Sequence, residues 1–371
     1  MPTTQTCKNL IIGAGLSGLV LAERLANVKK ERVLLIDRRA HIGGNCADSD
    51  HNGILVHQYG AHIFHTQSAK VWEYITRFGL FYPYMHRVLG LVHGKLIPIP
   101  FNLNALHAIF PKHQAKALES SLLESFGFGA RVSIMQLREQ NDENLKIIAD
   151  FIYENIFLHY TLKQWQCAPE ALDKSVFERV PILISKDDRY FPNDAYQGIP
   201  LQGYSKMFAK MIENPLIEVR LNTEASSVDS SGFDRVFYSG AIDEYFAYEF
   251  GELPYRSLEL KNVELEREYF GKNSVINYPK NYDFTRIIEH KYFLDTRTPR
   301  TIITYEFPKA WQRGDERYYP MPTKEAMSQY ERYASKAKSL PGVFFIGRLG
   351  EYKYYDMDKA ILRALEIFEG L

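Results

Sequence analysis

Two short apolar runs flank a segment with helical spacing at the start of the chain. Residues 10–12 form a strand-like apolar run that ends at Gly13, and residues 33–36 form a second one. Between them, residues 16–25 carry Leu and Val at helical spacing, with small residues in between. A strand, a helix and a second strand in this order build parallel sheets. The pattern therefore predicts an α/β fold that begins with a βαβ unit.

The segment that covers residues 102–154 has a helical composition. It is rich in Leu, Ala, Glu, Lys and Gln, and it is interrupted by Pro111 and by Gly-Phe-Gly at 127–129. Several helices are predicted there, because proline and glycine interrupt helical segments. Residues 180–203 contain more Pro and Gly, and loops are expected in that stretch.

The second half of the chain has the patterns of strands and of a final helix. Residues 236–240 and 342–347 are apolar runs that close on glycine, as core strands often do. Short alternating segments between residues 255 and 306, such as 301–306, favour an antiparallel sheet. Helical spacing at 357–368 predicts a terminal helix.

The composition is that of a globular protein with balanced charge. The 371 residues are enough for two or three domains. Lys and Arg together number 45, as do Asp and Glu, so charge gives no sign of a nucleic-acid partner or an anionic membrane. No apolar run is long enough to predict a membrane span, and the first residues lack the pattern of a secretion signal. Cys7, Cys46 and Cys167 are widely spaced without a CxxC pair, so neither disulfides nor a zinc site is expected, and the predicted location is cytoplasmic.

A glycine-rich motif follows the first predicted strand. Residues 13–18 read Gly-Ala-Gly-Leu-Ser-Gly and fit G-x-G-x-x-G. In this motif the first glycine permits a tight turn, the second lets the backbone approach a pyrophosphate, and the third lets the helix pack on the strand. The helix start offers N–H groups and a positive dipole end to phosphates. Asp37, at the end of the second strand, is placed to accept from ribose hydroxyls, so a dinucleotide site is predicted.

The residues after Asp37 favour FAD over NAD. Arg38, Arg39 and His41 precede a glycine pair at 43–44, which lets the chain pass close to a long cofactor. This arrangement resembles the flavin-dependent oxidases and mutases more than the NAD dehydrogenases. The late strand that ends at Gly347 suits a return of the chain to the same cofactor.

Six further blocks resemble one family in the same order along the chain. They are residues 59–66, 160–165, 196–200, 285–291, 314–320 and 347–357. Together they closely resemble the bacterial UDP-galactopyranose mutases, from about residue 8 to residue 365. The resemblance implies an α/β fold with a Rossmann-type FAD-binding domain, an inserted helical domain and an antiparallel β-sheet domain.

The resemblance also implies the reaction. Members of this family are flavin-dependent isomerases (intramolecular transferases) that interconvert UDP-galactopyranose and UDP-galactofuranose through a reduced-flavin N5–sugar adduct. The cofactor acts as the nucleophile, which fits a sequence in which no protein nucleophile is evident. Active reduced FAD, a reductant such as NAD(P)H or a reductase, a homodimer and a role in polysaccharide biosynthesis are expected on the same ground.

Site residues are assigned by matching positions in the blocks. The expected catalytic residues are Arg179, Arg348 and His65. The expected substrate ligands are Tyr160, Thr161, Trp165, Tyr190, Asn277, Arg286, Glu306, Tyr319, Tyr354 and His86. The expected FAD ligands are Gly13, Gly15, Ser17, Gly18, Asp37, Arg38, Gly44, Asn45, His62, Arg348, Tyr355, Asp356 and Met357.

The chemistry of these residue types suits a nucleotide sugar. Arginine forks and tyrosine hydroxyls bind a diphosphate without changing protonation near neutral pH. By resemblance, Tyr160 stacks on uracil and Trp165 lies on a loop that closes over the substrate. His62 and His65 without a third ligand do not predict a metal site. His65 by resemblance lies near the flavin ring and favours an unacetylated sugar.

Departures from the family pattern keep several alternatives open. They fall at Leu158, Gln166, Cys167 and His86, around the expected base and sugar positions. Mutases for an arabinose, fucose, deoxy-heptose or N-acetylgalactosamine nucleotide are therefore alternatives, as is a base other than uracil. A flavin oxidoreductase of the amine-oxidase type and a non-catalytic nucleotide-binding protein are the alternatives from other classes.

Three domains are predicted from these patterns. A discontinuous FAD-binding domain is expected at 1–82, 207–240 and 321–371, and a helical domain at 102–155. An antiparallel sheet domain that binds substrate is expected at 83–101, 156–206 and 241–320. The active cleft is expected where the domains meet, beside the carboxyl ends of the parallel strands.

Overall fold

The computed structural model describes residues 7–166 and 180–371. Two residues named in the sequence analysis lie outside the described residues. They are Arg179, an expected catalytic residue, and Cys167, a departure from the family pattern. The chain forms two compact units. The first comprises Met1–Pro83, Asp194–Tyr255 and Asp315–Leu371, and the second comprises Tyr84–Asn193 and Arg256–Gly314. The division into three domains stays a prediction.

The strands and helices follow in chain order. The strands are β1 Asn9–Ile12, β2 Val33–Ile36, β3 Asp48–His51, β4 Ile54–His57, β5 Phe64–Thr66, β6 Phe81–Tyr82, β7 Val88–Val92, β8 Lys95–Ile99, β9 Arg131–Val132, β10 Ile182–Leu183, β11 Tyr196–Pro200, β12 Ile217–Arg220, β13 Arg235–Tyr238, β14 Tyr255–Leu265, β15 Val275–Asn277, β16 Arg286–Glu289, β17 Thr301–Ala310, β18 Tyr319–Pro320 and β19 Val343–Phe345. The helices of the described residues are α1 Leu16–Asn27, α2 Ala69–Ile75, α3 Leu103–Ile109, α4 Lys112–Phe126, α5 Ile134–Arg138, α6 Glu143–Ile152, α7 His159–Trp165, α8 Tyr204–Met211, α9 Ile242–Tyr245, α10 Lys324–Ala337, α11 Gly347–Gly350 and α12 Met357–Glu369. A π-helical stretch, Tyr153–Leu158, joins α6 to α7.

The first unit is built on a parallel sheet of five strands. Its order is β12-β2-β1-β13-β19. Successive side chains of a strand point to opposite faces. Ile11 and Leu35 accordingly join a core cluster with α1 and α12, whereas Leu10 and Ile36 join a smaller cluster on the other face. The predicted βαβ start and the α/β class are confirmed.

A small three-stranded sheet in the first unit corrects the loop expected around residue 200. Tyr196–Pro200 is a strand, β11, which pairs with β5 at one end and with β6 at the other. Gly198 permits this central position, because a Cβ there would lie 2.7 Å from the carbonyl oxygen of Tyr82. The glycine and proline of this segment locally favour a loop, but pairing with β5 and β6 overrides that preference.

The second unit combines a large sheet with short helices. The order β14-β17-β16-β15-β7-β8 is antiparallel except between β15 and β7. Side chains of Asn102, Ser133 and Asp142 cap the starts of α3, α5 and α6 by accepting a backbone N–H of the first turn. These helices confirm the predicted helical segment and the predicted antiparallel sheet. Across the described residues, no helix is both long and apolar enough to cross a membrane.

Candidate active site

The glycines of the 13–18 motif hold a turn in which side chains do not fit. Gly13 has a φ of +107°, and a Cβ on it would lie 1.9 Å from Oγ of Ser239. A Cβ on Gly18 would lie 2.1 Å from the carbonyl oxygen of Gly13. Because both contacts are far below van der Waals distance, only glycine fits at either position. The turn between β1 and α1 is therefore tightly packed at these two glycines.

A second glycine segment runs beside this turn. The N–H of Gly43 donates to the carbonyl of Ala14 at 2.8 Å, and Gly43 has a φ of +95°. A Cβ on Gly44 would lie 3.0 Å from Cα of Gly15. Gly15 precedes α1, and no side chain caps the first turn of that helix. The result is a cradle of bare backbone with helix N–H groups at its base, which suits a pyrophosphate.

Asp37 fixes this cradle as well as lying beside it. One carboxylate oxygen accepts the N–H of Ala14 at 2.8 Å, and the other accepts the N–H of Arg39 at 2.8 Å. Each carboxylate oxygen retains a further acceptor site. Asp37 can therefore hold the glycine turn and still accept from a ribose hydroxyl. The sequence predicted the second role only.

Next to the cradle, Arg39 and Glu316 form a partly buried ion pair to which the sequence assigned no role. Arg39 donates to Oδ1 of Asn45 at 2.9 Å, lies over the ring of Tyr59, and is ion-paired with Glu316. Burial opposes ionisation of Glu316, but Arg39 outweighs it and holds the pKa of that carboxyl below its usual value. Arg38, the predicted ligand, is more exposed and lies 3.4 Å from Glu316.

His62 is buried and neutral. Burial lowers the pKa of His62 to about 4, although the carbonyl of Gly60 opposes the shift. Because the imidazole is neutral, Nδ1–H donates to that carbonyl, at 2.8 Å. The backbone N–H of His62 donates to Nδ1 of His57 at 3.0 Å. The ring is thus fixed in orientation without carrying charge.

His65 is paired with an acid that the sequence did not reveal. It lies on β5 opposite Gln197 of β11, and its Nδ1 is 2.6 Å from Oδ2 of Asp194. Gln67 donates to the other oxygen of Asp194 at 3.1 Å. No local motif marks Asp194, because its contact with His65 depends on the pairing of two strands that are distant in sequence. A search for acidic residues at the ends of predicted strands could have identified Asp194.

Arg348 is held by backbone carbonyls and stacked on tyrosines. It follows Gly347, which has a φ of +72°. Its guanidinium donates to the carbonyls of Tyr318 at 2.9 Å and Tyr355 at 2.6 Å. It also lies 4.6 Å from the ring centre of Tyr354, which stacks on Tyr319 at 5.7 Å. The structure therefore brings Arg348, a predicted catalytic residue and FAD ligand, together with Tyr319 and Tyr354, two predicted substrate ligands.

The predicted residues after Arg348 lie at the start of the last helix. Burial raises the pKa of Tyr355, so its hydroxyl stays protonated. Asp356 is the residue before α12, and Met357 is the first residue of that helix. No side chain caps the helix start.

In the second unit, three predicted ligands lie side by side on adjacent strands. Asn277 of β15 is opposite Arg286 of β16, which is opposite Glu306 of β17. Directly opposed residues of antiparallel strands point to the same face. Nε of Arg286 is 3.3 Å from Oε1 of Glu306, a carboxylate that is only 2% exposed. Thr285 also donates to that carboxylate, at 3.2 Å.

The helix α7 adds Tyr160 to this row. Arg286 donates to the hydroxyl of Tyr160, which fixes the hydroxyl end of the ring. Burial raises the pKa of Tyr160, with Arg286 acting against the shift. Thr161 and Trp165, also on α7, are buried. Within the described residues, Oδ1 of Asn277 is buried and has no hydrogen-bond donor, which leaves an acceptor for a ligand.

His86 and Tyr190 form a separate aromatic contact in the second unit. The N–H of Tyr190 donates to the carbonyl of His86 at 2.7 Å, and their rings lie 5.5 Å apart. Phe191 stacks on the other side of His86 at 6.0 Å. The sequence assigned both His86 and Tyr190 to the substrate, and the structure brings them together. No group of three His, Cys, Asp or Glu suited to a metal occurs in 7–166 or 180–371.

Two family models and several curated proteins match this chain. The family model described as UDP-galactopyranose mutase matches residues 155–354, and the one described as NAD(P)-binding Rossmann-like domain matches residues 11–78. A UDP-galactopyranose mutase of Mycoplasma genitalium is 35% identical, over 96% of this chain and 93% of that protein. A dTDP-fucopyranose mutase of Escherichia coli is 34% identical, over 97% of each.

Solved structures share the fold. A crystal structure of reduced UDP-galactopyranose mutase has a TM-score of 0.72 at 16% identity, and covers 98% of this chain and 93% of that one. A putrescine oxidase structure has a TM-score of 0.56 at 11% identity, with 98% of each chain covered. Both likenesses concern the fold alone, since one fold serves many chemistries.

Proposed function

The chain belongs to the UDP-galactopyranose mutase family, and on that premise we propose that it interconverts UDP-galactopyranose and UDP-galactofuranose on reduced FAD. It is a nucleotide-sugar mutase, hence an isomerase. The row of Asn277, Arg286 and Glu306 beside Tyr160 carries the proposal about the substrate. It joins an amide, a cation, a carboxylate and an aromatic ring on one face, within the residues that the family model matches.

FAD fits the first unit. The chain has a Rossmann-like dinucleotide-binding domain, and its glycine cradle excludes even a Cβ at Gly13 and Gly18. We propose that Gly15, Ser17 and Gly44 line the pyrophosphate through backbone N–H groups, and that Asp37 and Asn45 accept from the ribose. When bound and reduced, the flavin supplies a nucleophilic nitrogen for the anomeric carbon of the sugar.

We propose that Arg348 holds the leaving diphosphate in the first unit. The carbonyls of Tyr318 and Tyr355 use part of its guanidinium and set its orientation. The rings of Tyr319 and Tyr354 lie beside it, and their hydroxyls add further donors. Fixed donors of this kind stabilise a departing anion because they need no reorganisation during the reaction. Arg179 is proposed for the same role by resemblance.

The nucleotide is proposed to bind along α7 and the adjacent row. Tyr160, fixed at its hydroxyl by Arg286, offers its ring face to a base. The buried Oδ1 of Asn277 accepts a base N–H, which also removes the cost of an unpaired buried acceptor. Arg286, held by Glu306, donates to a phosphate oxygen. Thr161, Trp165, His86 and Tyr190 complete the proposed ligand set.

The two histidines of the first unit receive different proposed roles. His62 is neutral, and it packs against the flavin ring without placing a charge beside it. His65, oriented by Asp194, presents Nε2 to the flavin and the sugar. Tyr355, Asp356 and Met357 are proposed to line the same cofactor. We also propose a homodimer, a cytoplasmic location and reduction by NAD(P)H or a reductase.

An anaerobic assay with dithionite tests the proposal. UDP-galactofuranose, UDP-N-acetylgalactosamine, UDP-arabinose and dTDP-fucose are supplied separately, and the products are separated by chromatography. Conversion of UDP-galactofuranose to its pyranose isomer is expected only after reduction. Conversion of the dTDP-sugar alone would replace the proposed substrate with that of the similar fucopyranose mutase. No isomerisation in this assay, together with oxygen uptake on adding amines in a separate aerobic assay without dithionite, would overturn the mutase mechanism.

A further inference from the structure

A partly buried lysine on α7, Lys163, lies one turn from Tyr160. The Lys163 ammonium donates to the backbone carbonyls of Tyr278, Tyr282 and Phe284, the last two at 3.1 and 3.0 Å. An ammonium group has three N–H donors, so all of them are directed at one loop. Residues three apart on a helix share a face, so Lys163 and Tyr160 leave α7 on the same side.

The loop that Lys163 holds connects two proposed nucleotide ligands. It begins after Asn277, the last residue of β15, and ends before Arg286, the first residue of β16. The rings of Tyr278, Tyr282 and Phe284 pack against one another with centres 4.9 to 5.1 Å apart. The cation therefore ties the helix that carries Tyr160 to the connection between Asn277 and Arg286.

We propose that Lys163 is a positioning residue for nucleotide binding. By fixing the 278–285 loop, it keeps Asn277 and Arg286 aligned with the ring of Tyr160 and so sets the affinity for the nucleotide half of the substrate. This inference rests on the proposed function. It assigns Lys163 no contact with the reacting atoms.

The charge of Lys163 is sensitive to pH. Burial lowers its pKa to about 8, and Asp283 in the loop acts in the opposite direction. Other charged or titratable groups on α7, on the loop and on the adjoining strands include His159, Tyr160, Tyr278, Tyr282, Arg256, Arg286, Glu306 and Lys280, which is paired with Glu154. A neutral amine has only two donors, so above that pH one of the three carbonyls loses its hydrogen bond. The alignment of the loop is expected to weaken in that range.

The test compares Lys163→Met with wild-type full-length protein loaded with flavin, using UDP and dTDP as probes. Dissociation constants by calorimetry are expected to rise about tenfold, because hydrogen bonds from a charged donor contribute on the order of 1.5 kcal/mol or more. The KM is expected to rise by a similar factor, with kcat changed less than about twofold. Flavin content should be unchanged. Lys146→Met, at an exposed lysine paired with Glu143, is the matched control.

The pH profile and a conservative variant separate positioning from a general structural role. Wild-type affinity should fall between about pH 7 and pH 9, Lys163→Met should lack that fall, and Lys163→Arg should recover part of the affinity at neutral pH. Equal affinity in wild type and Lys163→Met would overturn the inference, as would a parallel loss of flavin and melting temperature. If the wild type binds neither UDP nor dTDP, the proposed function itself fails.

Discussion

The glycine cradle of the first unit and the Asn277–Glu306 row of the second unit, the two proposed ligand sites, are built in opposite ways. In the cradle, backbone atoms lie so close that an added Cβ at Gly13 or Gly18 collides with a neighbour. In the row, side chains of β15, β16 and β17 share one face, and Arg286 contacts both Glu306 and the hydroxyl of Tyr160 on α7. A backbone site therefore tolerates no added atom, whereas a side-chain site depends on the kind of charge and hydrogen bond presented.

The largest expected effect is from Gly18→Ala in the cradle. Alanine has the better helix propensity by about 1 kcal/mol, but its Cβ would lie 2.1 Å from the carbonyl oxygen of Gly13. Overpacking of this kind costs about 1–3 kcal/mol and displaces the turn. We expect almost complete loss of bound flavin, measured by the absorbance ratio at visible and ultraviolet wavelengths. Gly232→Ala, where a Cβ meets open space, is the control. A fully yellow Gly18→Ala protein would contradict the backbone account.

The next largest effect is expected from Arg286→Ala, a substitution in the second unit. It leaves the Glu306 carboxylate buried without its cation. Breaking a buried charged pair costs about 2–5 kcal/mol. UDP affinity is expected to fall on the order of 100-fold, with normal flavin content. Arg286→Lys keeps the charge but loses the bidentate guanidinium, so its UDP affinity should lie between those of wild type and Arg286→Ala. Loss of flavin in Arg286→Ala would mean that the two regions are not independent.

Asp194→Ala should have a moderate effect on turnover. His65 then loses the partner that orients its ring. Because hydrogen bonds to charged groups contribute about 1.5–3 kcal/mol, turnover is expected to fall about tenfold or more. Asp194→Asn keeps an acceptor and should lose less. The measurement is kcat under anaerobic reducing conditions, and unchanged kcat in both variants would remove Asp194 from the proposed site.

Cys46→Ala should have the smallest effect of all. Cys46 follows the Gly44–Asn45 segment, but the cradle is formed by backbone. Burial raises the pKa of its thiol to about 12, so the group is neutral at physiological pH and unreactive. Flavin content and turnover are expected to match wild type, and iodoacetamide should label this thiol slowly at pH 8. A marked loss of flavin would show that side chains contribute to the cradle after all.

The same contrast explains what the sequence could predict. The cradle is one contiguous motif, so its glycines, the first two strands, α1 and Asp37 could be identified from local spacing. The final helix and the strands at 236–238 and 343–345 were also predictable, because their apolar patterns are strong. Local periodicity decides these elements, and the structure confirms them.

The Asn277–Glu306 row could be predicted only from the resemblance to the family. Asn277, Arg286 and Glu306 become neighbours through strand register, and no local pattern encodes register between distant strands. Asp194 was missed for this reason, and so was β11, whose glycine and proline resemble a loop. The position of Lys163 was visible within a family-like block, but its three carbonyl partners required the fold.

The final helix has a consequence for how the chain is made. α12 packs on α1 in the main core of the first unit, through residues that include Leu19, Ile361 and Leu365. Since synthesis runs from the N-terminus, α1 leaves the ribosome long before its partner helix exists. The second unit, which ends at Gly314, has all of its residues earlier. A nascent chain therefore holds an incomplete core in the first unit until residues 357–369 have been made, and a stop codon before residue 357 would leave the face of α1 that packs on α12 uncovered.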